Sequence, residues 1–401
     1  MADQDTNDLD QFQAEVRSWI AENFPASLRD KPNPMSREAL AFPDADQEAW
    51  RLAMADKGWG TPTWSKEYGA AGLSKAHARI IQEELAHAGA YNPIGGMGVM
   101  MFGPTLMEYG TKAQLDQHIP PIVRGEFQWC QGFSEPGAGS DLVSLQTKAE
   151  DKGDHFLVNG QKIWTSGAQW ARWCFCLVRT DPTRKYDGIS LVLFPMDAPG
   201  VEVRPIQLIG GNSSFCELFM TDLKVPKDQL VGPLNHGWTI AKRLLQHERN
   251  GLSGPAYAPS GRPLVELARE HIGVDADGQI ADADLRRRII HNDMERRVFE
   301  QTAQRAAAEA KGNAGPSAAS SIMKNTSTRI AQQRAELAIE ILGYRGLGWE
   351  GDNFEPAELA ITRDWLSGKA STIYGGSQEI QNNIIAKRIL RLPDPIAAKK
   401  G

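Results

Sequence analysis

The chain has 401 residues, with 44 basic and 50 acidic residues, a formal net charge of −6 and a pI near 5.8. This length exceeds what one small core needs and predicts two or three domains. Because there is no basic excess, nucleic acid and anionic membrane surfaces are not expected as partners, which leaves small molecules and other protein chains.

The N-terminus and the cysteines indicate a cytoplasmic protein. The first residues are acidic and polar, and no apolar run of about 18 residues follows, so neither export nor membrane insertion is expected. Cys174 and Cys176 are too close for a relaxed mutual disulfide, and all four cysteines are expected to be reduced core residues. The histidines are scattered and Asp275–Gly278 lacks the remaining ligands of a calcium loop, so no metal is expected.

Helical periodicity dominates the first third of the chain. Apolar residues recur at helical spacing from Leu9 and stop at Phe24-Pro25. The same period returns over residues 46–58, 74–89 and about 112–124. We therefore predict an N-terminal helical domain over residues 1–126.

The pattern changes to strands after about Phe127. Phe156–Trp164 predicts a hairpin with Asn159-Gly160 at its turn. Further strands are predicted over residues 172–179, 189–194 and 215–220, with Gly and Pro clusters between them. Residues 127–235 are therefore predicted to form a compact middle β domain.

Helices return after Gly237. Residues 284–311, 316–343 and 376–391 carry apolar stripes with charged faces, as a helical bundle requires. A Gly/Pro-rich break interrupts this region from Gly251 to Pro263. The predicted architecture is α+β and multidomain, with a C-terminal helical bundle domain over residues 236–401.

Two short motifs carry the chemistry. In Phe133–Asp141, Pro136, Gly137 and Gly139 force a turn whose backbone N–H groups are free to meet an acceptor, and two serines add hydroxyls. Trp164-Thr165-Ser166-Gly167 follows about two dozen residues later. Taken alone, such a turn is more often an ordinary loop before a strand.

Further motifs accompany these two in the chain, namely Asn159–Ala168, Gly103–Leu106, Tyr109–Thr111 and the C-terminal Ile373–Ala386. At this order and spacing the chain, from about Leu9 to about Pro393, resembles the acyl-CoA dehydrogenases. The resemblance implies a middle β-barrel that covers a flavin and a C-terminal four-helix bundle that mediates tetramer formation. It implies FAD-dependent α,β-dehydrogenation of an acyl-CoA thioester to the trans-2-enoyl-CoA, with electrons passed to an electron-transfer flavoprotein.

The same resemblance assigns residues to the ligands. It implies that Ser134 contacts the flavin ring, that Ser166 bonds near the reactive nitrogen, and that Trp164 packs beside the ring. The residues so implied for FAD are Gln131, Phe133, Ser134, Gly139, Ser140, Trp164, Thr165, Ser166, Gly343, Ser377 and Glu379. Those implied for the acyl-CoA are Ser140, on the coenzyme A arm, Arg249, Tyr374 and Gly375.

The catalytic base departs from the commonest family pattern. Many members have a glutamate in the C-terminal signature where this chain has Gly375. Other members carry it on the helix that opens the C-terminal domain, directly before an arginine, and Glu248-Arg249 stands there. Glu248 is therefore the predicted base, and the alternative is a solvated glutamate paired with Arg243 or Arg249.

Gly375 is predicted to act through its backbone N–H, which in relatives donates to the thioester oxygen. A tight turn of Gly375-Gly376 before a helix capped by Ser377 is the other interpretation, and both can hold at once.

Two further motifs are degenerate. The family's Arg-x-x-Phe-Gly has only Arg296–Glu300 as a loose counterpart, and its Gln-x-x-Gly-Gly is reduced to Glu340–Tyr344. A buried Glu340 beside a pyrophosphate would be repelled. The chain is thus expected either as a homo-oligomer, dimer or tetramer, with altered contacts or as a hetero-oligomer with a related subunit.

Substrate size has one weak indicator. The Gly/Pro-rich break and the Met97–Phe102 segment, which matches the acyl-lining region, are compatible with a bulky acyl group such as a steroid side chain. An exposed loop and plain core methionines explain them equally well. Two other functions stay open: a flavin oxidase or monooxygenase on the same fold, and a non-catalytic subunit that completes a partner's active site.

Overall fold

The computed structural model describes residues 2–29, 43–252, 262–310 and 319–393. The chain forms two compact units, one of Met1–Ile206 with Ser214–His247 and a second of Gln207–Ser213 with Glu248–Gly401. The helices that the described residues form before the sheet are α1 (Ala2–Asn23), α2 (Ala45–Asp56), α3 (Lys75–His87), α4 (Gly103–Tyr109) and α5 (Lys112–Arg124). The strands are β1 (Gln128–Gly132), β2 (Lys148–Asp151), β3 (His155–Ser166), β4 (Ala171–Arg179), β5 (Ile189–Pro195), β6 (Val201–Ile206), β7 (Phe215–Pro226) and β8 (Leu230–Val231). The later helices are α6 (Gly237–Leu252), α7 (Leu264–His271), α8 (Ala283–Ala310), α9 (Ala319–Leu342), α10 (Pro356–Gly368) and α11 (Gln378–Ile384).

The N-terminal helices begin at capping residues that the sequence supplies. Asp44 and Gln47 form a capping box at α2, and Thr111 and Gln114 form another at α5. Helix α4 was not predicted, but it begins at Gly103 with Pro104 in its first turn, where a missing N–H costs nothing. The four predicted helices of this region are confirmed.

One buried carboxylate ties α1 to α3. Glu84 is 2 % exposed and accepts hydrogen bonds from Arg17 Nε at 2.9 Å and Gln13 Nε2 at 2.6 Å. The hydrogen bond from Arg17 is the largest effect and holds the pKa of Glu84 at about 2, although burial opposes it. Because the folded pKa lies below the unfolded one, this contribution to stability is complete above the unfolded pKa of about 4.5 and is lost as the pH falls towards 2.

We expect Glu84→Gln to lower the free energy of unfolding at pH 7 by about 1.5–3 kcal/mol, because it removes charge-assisted hydrogen bonds from a buried site. The deficit should shrink between pH 4.5 and pH 2, as the wild-type carboxylate is itself protonated. Urea unfolding of both proteins across this range measures it. Glu83→Gln is the matched control, since Glu83 pairs with Arg79 on the outside of the same helix and should change little. A deficit that stays constant with pH would contradict the assignment.

The middle of the chain is an eight-stranded sheet. Its strand order is β6-β7-β3-β2-β4-β5-β8, and β1 pairs in parallel with β4. The other neighbours are mostly antiparallel, and the longest pairing joins β3 to β7. The predicted strands at 172–179, 189–194 and 215–220 are confirmed, and the last continues to Pro226.

The predicted hairpin at Asn159-Gly160 is wrong. Strand β3 runs through both residues, and the pairing with β7 shifts register between Val158 and Gly160. Gly160 has φ +157°, and a Cβ there would lie 2.5 Å from Thr147 Oγ1. The glycine therefore marks a β-bulge where another segment approaches closely. Both a bulge of this kind and a tight turn require glycine, so the sequence alone does not distinguish them.

The four cysteines are free and buried, as predicted for reduced core residues. Burial raises the pKa of Cys174 and of Cys216, which keeps both thiols protonated.

The second unit is mainly helical in its described part. Helices α7, α8 and α9 pack around Leu264, Leu267, Ile289, Leu337 and Ile341. The predicted helices at 284–311 and 316–343 correspond to α8 and α9, and the one at 376–391 corresponds to α11 with a π-helical turn over Ile385–Ile389. Helix α10 was not predicted, although Pro356 at its start and the capping box of Glu355 and Glu358 are visible in the sequence. Most of the Gly/Pro-rich break lies outside the described residues.

No helix in the described ranges is both long and apolar enough to cross a membrane. Within the same ranges, no group of three or more His, Cys, Asp or Glu is placed to hold a metal ion. The cytoplasmic location stays a prediction.

Candidate active site

The glycine-rich turn begins directly after β1. Glu135 and Ala138 exchange backbone hydrogen bonds of 3.0 Å each, which closes a tight loop around Pro136 and Gly137. Among the bonds of the described residues, the N–H groups of Gly137, Gly139 and Ser140 have no acceptor. Gly139 and Ser140 are exposed and Ser134 is half-buried. Unpaired N–H groups on a small-residue turn form a cradle that suits an anionic or polar ligand.

A buried ion pair supports this turn. Lys162 Nζ lies 2.8 Å from Glu135 Oε1 and 3.2 Å from the carbonyl oxygen of Phe133, and Lys162 is fully buried. The Glu135 carboxylate also accepts the N–H groups of Gln146 at 2.6 Å and Thr147 at 2.9 Å. Burial raises the pKa of Glu135, but the attraction of Lys162 and these hydrogen bonds outweigh it and leave the pKa below its usual range. Neither charged residue was predicted from the sequence, although a glutamate inside a small-residue turn was a visible signal.

Strand β3 joins the turn to the second motif. The N–H of Ile163 donates to the carbonyl oxygen of Ser134 at 2.9 Å, so the turn is bonded next to Trp164. Trp164 has φ +61° and is 54 % exposed, and the pairing of β3 with β7 shifts register here. A left-handed conformation in a bulky residue costs about 1–3 kcal/mol and is typical of functional sites. The ring of Trp164 makes an edge contact with Phe215, with centroids 6.2 Å apart.

The other residues of the first unit that are predicted to bind flavin differ in how far their side chains are exposed to solvent. Ser166 and Gln131 are half-buried, whereas Phe133 is buried and its ring meets Phe175 edge-on, with centroids 6.0 Å apart. Thr165 is fully buried, and its hydroxyl has no partner among the described residues. Any contact of Thr165 with a ligand at the exposed face would use its backbone.

The C-terminal signature forms a turn and a capped helix. Gly375 and Gly376 have φ of +66° and +90°, and a Cβ on Gly376 would lie 2.7 Å from Gln381 Nε2. Ser377 Oγ accepts the N–H of Ile380 at 3.4 Å, which confirms the predicted cap of α11. The N–H of Gly375 has no acceptor among the described residues, so it is free to donate. Tyr374 and Glu379 are exposed beside it.

Glu340 is not the buried glutamate that would repel a pyrophosphate. Its side chain is 49 % exposed and pairs with Arg288, with Arg288 Nη1 at 2.7 Å. The neighbouring helix explains this difference, because Arg288 on α8 meets Glu340 on α9 at the outer side of the helix pair. Gly343 has φ +53° and opens a 3-10 turn, in which Tyr344 is 84 % exposed.

Arg296, the proposed counterpart of the other degenerate motif, lies within α8 and is held by Asp293 at 2.8 Å and Glu300 at 2.5 Å.

Glu248 and Arg249 lie on the last turns of α6, and their side chains are outside the described residues. The guanidinium of Arg243, one of the arginines considered as a partner of Glu248, instead donates to both carboxylate oxygens of Glu108, at 2.6 and 2.7 Å.

The acyl-lining segment is mostly core. Met97, Met101 and Phe102 are buried, whereas Met100 is 42 % exposed and Val99 is half-buried. A π-helical turn covers Gly98–Phe102, a distortion that is frequent at functional sites.

Comparison with known protein families matches three acyl-CoA dehydrogenase models. The N-terminal domain model covers residues 6–126, the middle domain model residues 130–223 and the C-terminal domain model residues 235–390. The predicted order of a helical, a β and a helical part is thereby confirmed.

The similarity to individual proteins extends over nearly the whole chain. The chain is 38 % identical over 398 residues to the acyl-CoA dehydrogenase IpdE1 of Mycobacterium tuberculosis, covering 96 % of this chain and 98 % of that protein. It is 36 % identical to IpdE1 of Mycolicibacterium smegmatis, with the same coverage. Among solved structures, the ChsE4-ChsE5 complex from Mycobacterium tuberculosis matches with a TM-score of 0.74 and 31 % identity, over 96 % of this chain and 98 % of that one.

A further structure, the Tcur3481-Tcur3483 steroid ACAD, matches with a TM-score of 0.75 and 28 % identity, over 96 % of this chain and 98 % of that one. The chain therefore belongs to the acyl-CoA dehydrogenase family of flavoprotein oxidoreductases.

Proposed function

We propose that the protein binds FAD and converts an acyl-CoA thioester to the trans-2-enoyl-CoA. The observation that carries this proposal is the glycine-rich turn with unpaired N–H groups, bonded through Ile163 to the strained and exposed Trp164. The open space beside Gly137 and Gly139 leaves room for a ligand, because a Cβ at either position would meet no atom within 4 Å. Ser134 and Ser140 add hydroxyls on the turn itself, and Ser166 adds one at the end of β3, two residues after Trp164.

The reaction needs a base for the α proton, a hydride acceptor and donors to the thioester oxygen. FAD, when bound, supplies the hydride acceptor. Glu248 removes the α proton, and the free N–H of Gly375 donates to the thioester oxygen as negative charge develops there. Ser140, Arg249 and Tyr374 hold the coenzyme A thioester, while Gly343, Ser377 and Glu379 add to the FAD contacts.

The proposed substrate is an acyl-CoA with a bulky or ring-bearing acyl group. Support comes from the steroid ACAD among the similar structures and from the partly exposed Met100, whose flexible side chain adapts to irregular shapes. The proposed electron acceptor is an electron-transfer flavoprotein.

Anaerobic titration tests the reaction. The purified protein, loaded with FAD, is mixed with straight-chain, branched and steroid side-chain acyl-CoAs, and the loss of flavin absorbance is followed. We expect bleaching, fastest with the bulky thioesters. If no acyl-CoA of any class bleaches the flavin, dehydrogenation by this chain is refuted. Oxygen uptake with substrate alone would favour the oxidase or monooxygenase, whereas turnover only with electron-transfer flavoprotein favours the dehydrogenase.

We further propose that the chain assembles with a related subunit. Glu340 is engaged by Arg288, Arg296 is engaged by Asp293 and Glu300, and the exposed Tyr344 replaces a glycine of the family motif. The groups that would serve a neighbouring copy's cofactor are therefore altered, and a different subunit would have to supply them. Native mass and FAD content decide this, since a stable homotetramer with four FAD molecules would refute it.

A further inference from the structure

Three buried charged residues lie in the sheet of the first unit and in the turn that follows β1. They are Glu135, Lys162 and Arg179, each no more than 8 % exposed, and among the described residues of the sheet no other charged side chain is buried. Glu135 and Lys162 neutralise each other at 2.8 Å. No carboxylate lies within ion-pair distance of Arg179 in the described ranges, although Glu135 and the half-buried Asp181 attract its charge from farther away. The three buried residues themselves are two cations and one anion.

Backbone carbonyls surround the guanidinium of Arg179. It donates to the carbonyl oxygens of Val143 at 2.6 Å and Leu145 at 3.3 Å, and to those of Arg184 and Lys185 at 2.8 Å each. Burial lowers the pKa of Arg179, but an arginine stays charged in a protein. Its hydrogen bonds are made to carbonyl groups, and Glu135 and Asp181 attract its charge from a distance, without a direct ion pair.

The segment 143–147, which directly follows the glycine-rich turn, is held from both sides. Arg179 donates hydrogen bonds to the carbonyl groups of Val143 and Leu145. Glu135 accepts hydrogen bonds from the N–H groups of Gln146 and Thr147. The backbone N–H of Arg179 also donates to the carbonyl oxygen of Thr147 at 2.7 Å. One buried network therefore holds the segment that directly follows the turn, and its buried residues carry one more positive than negative charge.

A buried charge without a direct ion pair is costly, and an anionic ligand nearby would offset that cost. The free N–H groups of Gly137, Gly139 and Ser140 present partial positive charge at the surface of the same turn. We propose that Arg179 is a positioning residue whose buried charge, with that of Lys162, makes the turn favour the anionic groups of the bound cofactor. This inference depends on the proposed binding of FAD.

The anionic group has two sources, the phosphates of FAD and the reduced ring, and two measurements separate them. The first is the dissociation constant of oxidised FAD for the cofactor-free protein. The second is the midpoint potential of the bound flavin. We expect Arg179→Met either to weaken FAD binding about tenfold, if the phosphates are favoured, or to make the potential about 30 mV more negative, if the reduced ring is favoured, since 30 mV is tenfold for a two-electron couple.

Two further variants separate charge from packing. Arg179→Lys keeps the charge but loses the fork of carbonyl bonds, so it should melt at a lower temperature yet recover most of the affinity or potential. Arg172→Met is the matched control, because Arg172 lies on the same strand but is 58 % exposed in its side chain and pairs with Asp197. If Arg179→Met does not fold, Arg179→Gln serves instead, because it removes the charge but keeps an N–H donor for the carbonyl groups, and it should shift the same measurement in the same direction.

The inference is overturned if Arg179→Met behaves as Arg172→Met in both measurements, or if Arg179→Lys is as defective as Arg179→Met. It is likewise overturned if Arg179→Gln shifts neither quantity. Wild-type protein that binds no FAD would instead refute the proposed function.

Discussion

Glu248→Gln is expected to slow bleaching of the bound flavin by acyl-CoA about 10²- to 10⁴-fold, the usual contribution of a positioned general base. The amide has nearly the shape of the carboxylate but cannot accept the α proton, so FAD and acyl-CoA should still bind. Stopped-flow absorbance under anaerobic conditions measures the rate, and the visible spectrum measures the FAD content.

Glu266→Gln is the matched control for this experiment, because Glu266 is an exposed glutamate on the neighbouring helix α7. It should leave the rate unchanged. A Glu248→Gln protein that bleaches at the wild-type rate would remove Glu248 from the mechanism. A protein that loses its FAD would show that Glu248 has a structural role instead.

The second large effect concerns the ion pair beneath the glycine-rich turn. Glu135→Leu strands the fully buried Lys162 ammonium with one carbonyl oxygen, and Lys162→Met leaves the Glu135 carboxylate without its cation. We expect each change to lower the free energy of unfolding by about 3–5 kcal/mol, because removing one member of a buried pair leaves an uncompensated charge. The double variant should lose less than the sum of the two.

Urea unfolding of the cofactor-free proteins gives these free energies, and the double-mutant cycle gives the coupling between the two residues. The exposed pair Lys148 and Glu150 on the neighbouring strand β2 is the matched control, and the same substitutions there should change little. Additive effects at Glu135 and Lys162 would mean that the pair contributes no coupling and that each residue acts through its backbone partners alone.

The two effects separate chemistry from architecture. Glu248 is expected to change the rate without changing the fold, whereas Glu135 and Lys162 are expected to change the fold that presents the turn. Loss of the ion pair should also release Gln146 and Thr147, whose N–H groups the Glu135 carboxylate accepts. Reduced FAD content in Glu135→Leu would therefore follow from the altered turn.

Much of the architecture was predictable because it depends on neighbours in sequence. Apolar spacing and capping residues such as Asp44 and Thr111 indicate the N-terminal helices, and β-branched and aromatic runs indicate strands such as Ile189–Pro195. The motifs Phe133–Asp141, Asn159–Ala168 and Ile373–Ala386, in this order and spacing, carried the resemblance to the family. These features are local, so a single sequence contains them.

Features that join distant residues could be found only in the tertiary structure. In the sequence Gly160 indicates a turn, and only the structure shows that Thr147 packs against it. The left-handed backbone of Trp164 likewise becomes visible only in the pairing of β3 with β7. Lys162 reaches Glu135 across 27 positions, and Arg179 reaches Val143 across 36. Local sequence patterns carry no record of such pairs, because burial and charge balance are set by which strands become neighbours in the sheet. The sequence by itself thus determined the family, the order of helices and strands and the candidate residues, while the folded chain decided how the turn is supported and where its buried charges lie.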